Sequence, residues 1–321
     1  MKRHVTLFLK GMGMGAADSV PGVSGGTIAF VTGIYEELIE TIRRFGPSAI
    51  GALRENGLKG LIVHLNLGFL IPLLAGVAAS VLSLAHVVSY LLEHQTLLLN
   101  AFFFGLVVAS AIVVARRLDR WRLVFLVPLA LGALLAHFLP ALLPSGGGAL
   151  MLFVAGAIAI SAMLLPGVSG SFLLLTMGMY HTVIDAIKAF DLVTMAQFAL
   201  GCLLGLFTFS RVLSWLFRHH YSTTLYLLIG FILGSLPVLW PWRSLESYTM
   251  SPDGEVVPLQ YQLLSPEAYT AVTGEPSHLW MALALALIGF VMVVAVGERS
   301  GAASSRISTD SQSMSKEHDR T

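Results

Sequence analysis

The sequence predicts an all-α polytopic membrane protein made of two inverted-topology repeats. Each repeat is a re-entrant broken helical hairpin followed by three transmembrane helices. Three observations carry this reading. First, 56% of the 321 residues are hydrophobic and 12% are charged, about half the charge of a soluble domain. So few charges cannot coat a soluble protein of this length. That excludes most soluble enzymes, a disordered chain and a nucleic-acid binder with a basic face. Second, two apolar regions are broken by the same string, Pro-Gly-Val-Ser-Gly, at Pro21 and at Pro166. Third, sixteen of the 19 basic residues fall on one side of the predicted spans, and basic connections stay cytoplasmic.

Each element follows in chain order. The first broken region covers 5–42, after a start carrying Lys2 and Arg3. Lys2, Arg3 and Ala16-Ala17 are superficially like a signal peptide, but Lys10 interrupts the apolar stretch, so the segment is expected to be retained. A basic connection with Arg43, Arg44, Arg54 and Lys59 precedes three apolar runs, 61–92, 97–115 and 121–142. Each reaches or exceeds the length of about 20 residues that crosses a bilayer. Arg116, Arg117, Arg120 and Arg122 lie between the second and third. The second broken region covers 150–187, and spans follow at 196–217, 223–240 and 279–296. Arg218 joins the first two. The connection 243–278 carries Glu246, Asp253, Glu255, Glu267 and Glu275 and reads as an outer loop. Trp240, Trp242 and Trp280 flank it as interface anchors. The tail 299–321 is rich in serine and charge and is expected to be disordered and cytoplasmic. The organisation is therefore repeat 1–145, repeat 146–298 and a tail, with both termini cytoplasmic. Cys202 has no second cysteine to pair with and reads as a small buried hydrophobe.

The two broken regions align without a gap at an offset of 145 residues. Gly33 and Tyr35 fall on Gly178 and Tyr180, Ile39 and Ile42 on Ile184 and Ile187, Glu40 on Asp185, and Arg43 on Lys188. The first copy enters and returns on the cytoplasmic side. Three spans then place the second copy outside. An odd number of crossings between duplicated units gives inverted topology.

The breaks are the candidate site. Pro21 and Pro166 suit the first turn of a helix, which would place Ser24 and Ser169 in that turn. Helix amino-termini expose N–H donors and a partial positive charge, and in lipid those donors need a partner. Two such ends meeting near the midplane make an anion site. The candidate binding residues are Pro21, Gly22, Val23, Ser24, Gly25, Gly26 and Thr27 in one copy. In the other they are Pro166, Gly167, Val168, Ser169, Gly170 and Ser171. Arg211, inside a span, is a further candidate. Arg43 and Lys188 sit at opposite mouths, placed to attract an anionic headgroup or to snorkel. Asp18 either relays a proton or caps free N–H groups; Glu36 and Glu37 are further proton-coupling candidates, about 18 Å of helix beyond Ser24 at 1.5 Å per residue.

Other chemistry finds little support. Gly22-Val23-Ser24-Gly25-Gly26 fits G-x-S-x-G, but a hydrolase elbow needs a strand–turn–helix context. A serine-protease dyad in the membrane fits poorly with a duplicated, inverted serine motif. No metal or nucleotide motif is present, so no cofactor and no nucleic-acid partner is expected.

The segment GAADSVPGVSGGTIAFVTGIYEELI, with its echo PGVSGS, resembles the polyprenyl-phosphate transporter family of bacterial membrane proteins, first catalogued as a domain of unknown function. The resemblance spans about residues 5–298. It implies a transporter and not an enzyme, moving undecaprenyl phosphate from the outer to the cytoplasmic leaflet of the inner membrane for recycling in peptidoglycan synthesis. A homodimer enters from the resemblance alone. The breaks also resemble the PGxSRS motif of undecaprenyl-pyrophosphate phosphatase. The arginine of that motif is replaced by Gly25 and Gly170, so the cation that would neutralise a leaving phosphate is missing. Backbone N–H groups and hydroxyls still suit phosphate binding. A phosphatase-like enzyme and a soluble-anion transporter are the alternative readings.

Overall fold

A computed structural model describes residues 2–18, 24–116, 118, 123–143, 148–250 and 256–297. Pro21, Gly22 and Val23, three of the four arginines at 116–122, and the tail 299–321 lie outside the described residues. The chain is predominantly helical. The first broken region forms α1 (Lys2–Asp18), α2 (Gly25–Val31) and α3 (Tyr35–Arg43). Then come α4 (Pro47–His64), α5 (Leu67–His94), α6 (Thr96–Ala115), a 3-10 turn and α7 (Leu126–Leu142). The second broken region forms α8 (Ala149–Leu164), α9 (Gly170–Thr176) and α10 (Tyr180–Lys188). It is followed by α11 (Leu192–His219), α12 (Tyr221–Gly234) with a 3-10 turn, a strand pair, α13 (Pro266–Thr273) and α14 (Leu279–Gly297). Among the described residues, four helices are long and apolar enough to cross a membrane, or six if each bent pair is one span. The protein is a multi-pass membrane protein.

Four expectations need correction. The second arm of each hairpin is two short helices, not one, so no straight helix runs from Ser24 to Glu36. Gly33 and Gly178 stand at φ 73° and 72°, a left-handed conformation that glycine adopts without a Cβ clash. Each closes a Schellman cap: the Ile34 N–H donates to Ala29 O at 3.0 Å, and the Met179 N–H to Leu174 O at 2.9 Å. In the second copy the two pieces are bent by 104°. The connection after Arg43 is also helical. Gly57, at φ 61°, folds α4 back on itself and brings Ser48 Oγ to 3.2 Å from His64 Nε2. The run 61–92 is interrupted before Leu67, where Asn66 is left-handed (φ 50°) and the chain bends by 43°. Finally, the connection 243–278 is not a plain loop. It contains an antiparallel pair, β1 (Arg243–Met250) and β2 (Val256–Leu263), plus α13.

Helices in lipid gain little from hiding apolar surface, so close backbone packing holds them together. Four crossings are built this way. On α1 and α5, a Cβ at Gly11 would strike Leu73 O and one at Gly76 would strike Phe8 O. On α8 and α11, Gly156 faces Phe198 O and Gly201 faces Phe153 O. Gly156 lies 145 residues after Gly11. Likewise α6 crosses α14 at Gly105 and Gly289, and α7 crosses α12 at Gly132 and Gly230. The first arm of each hairpin thus packs on the first long helix of its own half. The remaining long helices pair across the halves.

Candidate functional site

The two breaks touch. Ser24 is the N-cap of α2, extended at φ −124°, ψ 135°, and its Oγ accepts from the Gly26 N–H at 3.1 Å. Ser169 is the N-cap of α9 in the same conformation, and its Oγ accepts from the Phe172 N–H at 3.4 Å. Both serines therefore precede the helix instead of lying in its first turn, as the residue type favours. Pro166 is four residues upstream of α9, and Gly167 at φ 86° makes the turn between them. The Gly167 N–H donates to Thr27 Oγ1 at 2.9 Å, and Ser24 Oγ donates to Met163 O at 3.3 Å. Tyr35, buried between Phe30 and Phe217, donates its hydroxyl to Leu164 O. One half thus supplies the hydroxyl groups. The other supplies the backbone groups freed by its break.

The breaks are not equivalent. Ser24 and Thr27 are 1% and 0% exposed. The first N–H of α2, on Gly25, donates to Asp18 Oδ1 at 2.6 Å. Asp18 therefore takes the capping arrangement. The residue at its place in the second copy is Met163, whose Cγ lies where a Cβ on Gly170 would be (2.6 Å). A thioether is a weak acceptor, so the amino-terminus of α9 gains no carboxylate. Ser169 is half-buried, Ser171 is exposed, and their hydroxyls are 3.1 Å apart. Pro166, Gly167, Val168 and Gly170 are buried around them.

The remaining candidates lie away from the breaks. Arg43 grips Glu40 with two hydrogen bonds, Nε to Oε2 at 3.0 Å and Nη2 to Oε1 at 2.5 Å. Lys188 is exposed at the last turn of α10. Arg211 binds Phe207 O at 2.7 Å on its own helix and Phe45 O at 3.2 Å. It pins the α3–α4 corner to α11. Glu36 accepts from the Tyr221 hydroxyl at 3.2 Å. Glu37 accepts from Arg3 at 2.7 Å and from Asn66 at 3.0 Å.

Some residues on this face escape a reading of the sequence. Lys10 donates to Thr32 O at 2.6 Å, at the carboxyl end of α2, where a cation complements the helix dipole. Asn66 ties the α4–α5 bend to Glu37 and to Thr41 Oγ1 at 3.2 Å. Ser214 and Arg218 reach Glu40 from α11 at 2.9 and 2.7 Å. The repetition of Tyr35 at Tyr180 was a signal for the first tyrosine. The contacts of Glu40 with α11 left no local signal.

Residues 14–257 match a family described as undecaprenyl phosphate translocase-like (VCA0040-like). The chain is 43% identical over 293 residues to the polyprenyl-phosphate transporter of Vibrio cholerae serotype O1, covering 91% of this chain and 95% of that protein. It is 33% identical over 259 residues to the polyprenyl-phosphate transporter of Staphylococcus aureus, covering 73% and 85%. No solved structure matches. The extent of these matches establishes that the chain belongs to the undecaprenyl phosphate translocase-like family.

Proposed function

We propose that this protein carries a polyprenyl phosphate, undecaprenyl phosphate in the first instance, from the outer to the cytoplasmic leaflet of the bacterial inner membrane for reuse in peptidoglycan synthesis. It acts as a transporter, without a covalent intermediate. The observation that carries this reading is the meeting of the two breaks through Thr27–Gly167 and Ser24–Met163. A single headgroup passing between the halves would meet both. The paired glycine crossings support two inverted repeats, 1–145 and 146–298, that rock against each other. Both termini and the tail then face the cytoplasm.

The phosphate first engages the second break, through the Ser169 and Ser171 hydroxyls and the leading N–H groups of α9. Small hydroxyls and backbone donors suit a phosphate that must later leave. The prenyl chain stays in lipid and exits laterally. The first break opens when Asp18 releases the Gly25 N–H, and proton uptake by Asp18 would allow that release. Glu36 and Glu37 lie on the exit side, and Arg43, Lys188 and Arg211 draw or neutralise the headgroup at the mouths.

The test uses sealed vesicles containing undecaprenyl phosphate and this protein. An impermeant headgroup-modifying enzyme reads the accessible fraction, and free phosphate is assayed without that enzyme. The account predicts accessibility rising beyond the outer-leaflet half with no free phosphate. Accessibility fixed at half would contradict it. Free phosphate released by the protein alone would favour the phosphatase reading.

A further inference from the structure

The mouth where α3 meets α11 holds a second ready-made anion pocket, already filled by the protein itself. The Glu40 carboxylate accepts four hydrogen bonds: two from Arg43, one from Arg218 and one from Ser214. Arg44 Nε stands 3.8 Å away. Three guanidinium groups thus surround one carboxylate. They come from both halves of the chain, since Arg43 and Arg44 end α3 while Arg218 ends α11. Arg211 lies two turns before Arg218 and holds the same corner through Phe45 O. The cluster is reachable: the Arg43, Arg44 and Arg218 side chains are 35%, 38% and 52% exposed, and Glu40 is 29% exposed. Glu36 and Glu37, on the same helix, are engaged elsewhere, with Tyr221 and with Arg3 and Asn66.

We propose that this cluster is a docking station for a phosphate monoester, with Glu40 as the internal anion that a phosphate displaces. Guanidinium forks match phosphate oxygens in pairs, and a monoester brings nearly two negative charges against one on Glu40. A hydroxyl donor, Ser214, completes the set. A phosphate in place of Glu40 takes over its link from α3 to α11, so the bound headgroup itself joins the two halves at this mouth. The existence of the station rests on this geometry. Its place as the headgroup's point of departure rests on the transport reading.

Trp215 stacks on His219, the residue after Arg218 on α11, so its fluorescence is the first readout and isothermal titration calorimetry the second. Purified protein in detergent is titrated with a short-chain prenyl monophosphate, the matching prenyl alcohol and inorganic phosphate, and Trp215→Phe identifies the local signal. The expected result is saturation by the monophosphate and none by the alcohol. Half-saturation should rise at least tenfold in Arg218→Ala and in Arg43→Ala, rise less in Arg218→Lys, and fall several-fold in Glu40→Gln. Inorganic phosphate saturating at the same concentration would make free phosphate the source. Saturation only at much higher concentration makes it the lipid headgroup. No saturable binding by calorimetry, or binding indifferent to both arginine changes in variants that keep the wild-type melting temperature, would overturn the station. Wild-type lipid translocation without arginine-sensitive binding would sink the station alone. A normal Trp215 response without translocation would sink the transport reading alone.

Discussion

The two hairpins share a string, a turn and a way of packing, yet one is wired by charge and the other is not. In the first, Lys10 caps α2 at its carboxyl end, Asp18 caps it at its amino end, and Glu37 and Glu40 bind partners on three other helices. In the second, the positions of Lys10, Asp18 and Thr32 are Ala155, Met163 and Met177. Ala155 and Met177 are buried among apolar neighbours. The difference teaches that the same Pro-Gly-Val-Ser-Gly break is built into two different electrostatic settings. The first break is closed by its own carboxylate. The second has Met163 in that place, and in the transport we propose its hydroxyls and the start of α9 would meet the ligand. Under the proposed transport, unequal breaks would give the substrate an order of events.

That comparison can be broken in steps of decreasing size. The largest effect is expected from Gly167→Ala. Residue 167 is left-handed, and a Cβ there would lie 2.9 Å from Phe231 O and from Ser235 Oγ. Conformational strain and overpacking should cost about 3 kcal/mol, seen as a large drop in melting temperature in detergent. Next, the double change Ser169→Ala with Ser171→Ala should lower translocation in the vesicle assay by about tenfold or more, near 1.4 kcal/mol per factor of ten, while the lost Ser169 cap costs about 1 kcal/mol of stability. Thr27→Val removes the acceptor of the buried Gly167 N–H and should destabilise by about 1–3 kcal/mol. Asp18→Met makes the first break resemble the second. It should cost about 1 kcal/mol of stability, the usual value of a lost cap, and give a protein whose first break also labels with substrate. The smallest effect belongs to Lys10→Ala, which copies Ala155 and should cost about 0.5–1 kcal/mol.

Much of the architecture was legible because lipid imposes it. Apolar runs, basic connections and the duplicated Pro-Gly-Val-Ser-Gly string are local signals, and the helices stand close to where those signals put them. The misplaced details have local causes too. Gly33 and Gly178 matched across the copies, but their left-handed turns depend on the 6→1 hydrogen bond that follows. Gly57 and Asn66 redirect the chain through positive φ, which glycine and asparagine permit without announcing. The strand pair at 243–263 sits in a stretch whose polarity reads as loop. The least legible part was the partnership between the copies. Nothing near Thr27 signals Gly167, 140 residues away, and nothing near Glu40 signals Arg218. Those contacts exist only once the halves are packed.

The most direct test of the unequal breaks is photolabelling in vesicles with an undecaprenyl phosphate analogue whose reactive group lies beside the phosphate, with sites mapped by mass spectrometry. The account predicts label on residues 167–172 of the wild-type protein, lost in Ser169→Ala with Ser171→Ala, and new label on 24–27 in Asp18→Met. Label confined to the lipid-facing sides of α5 and α14, or the same pattern with the matching alcohol analogue, would contradict it.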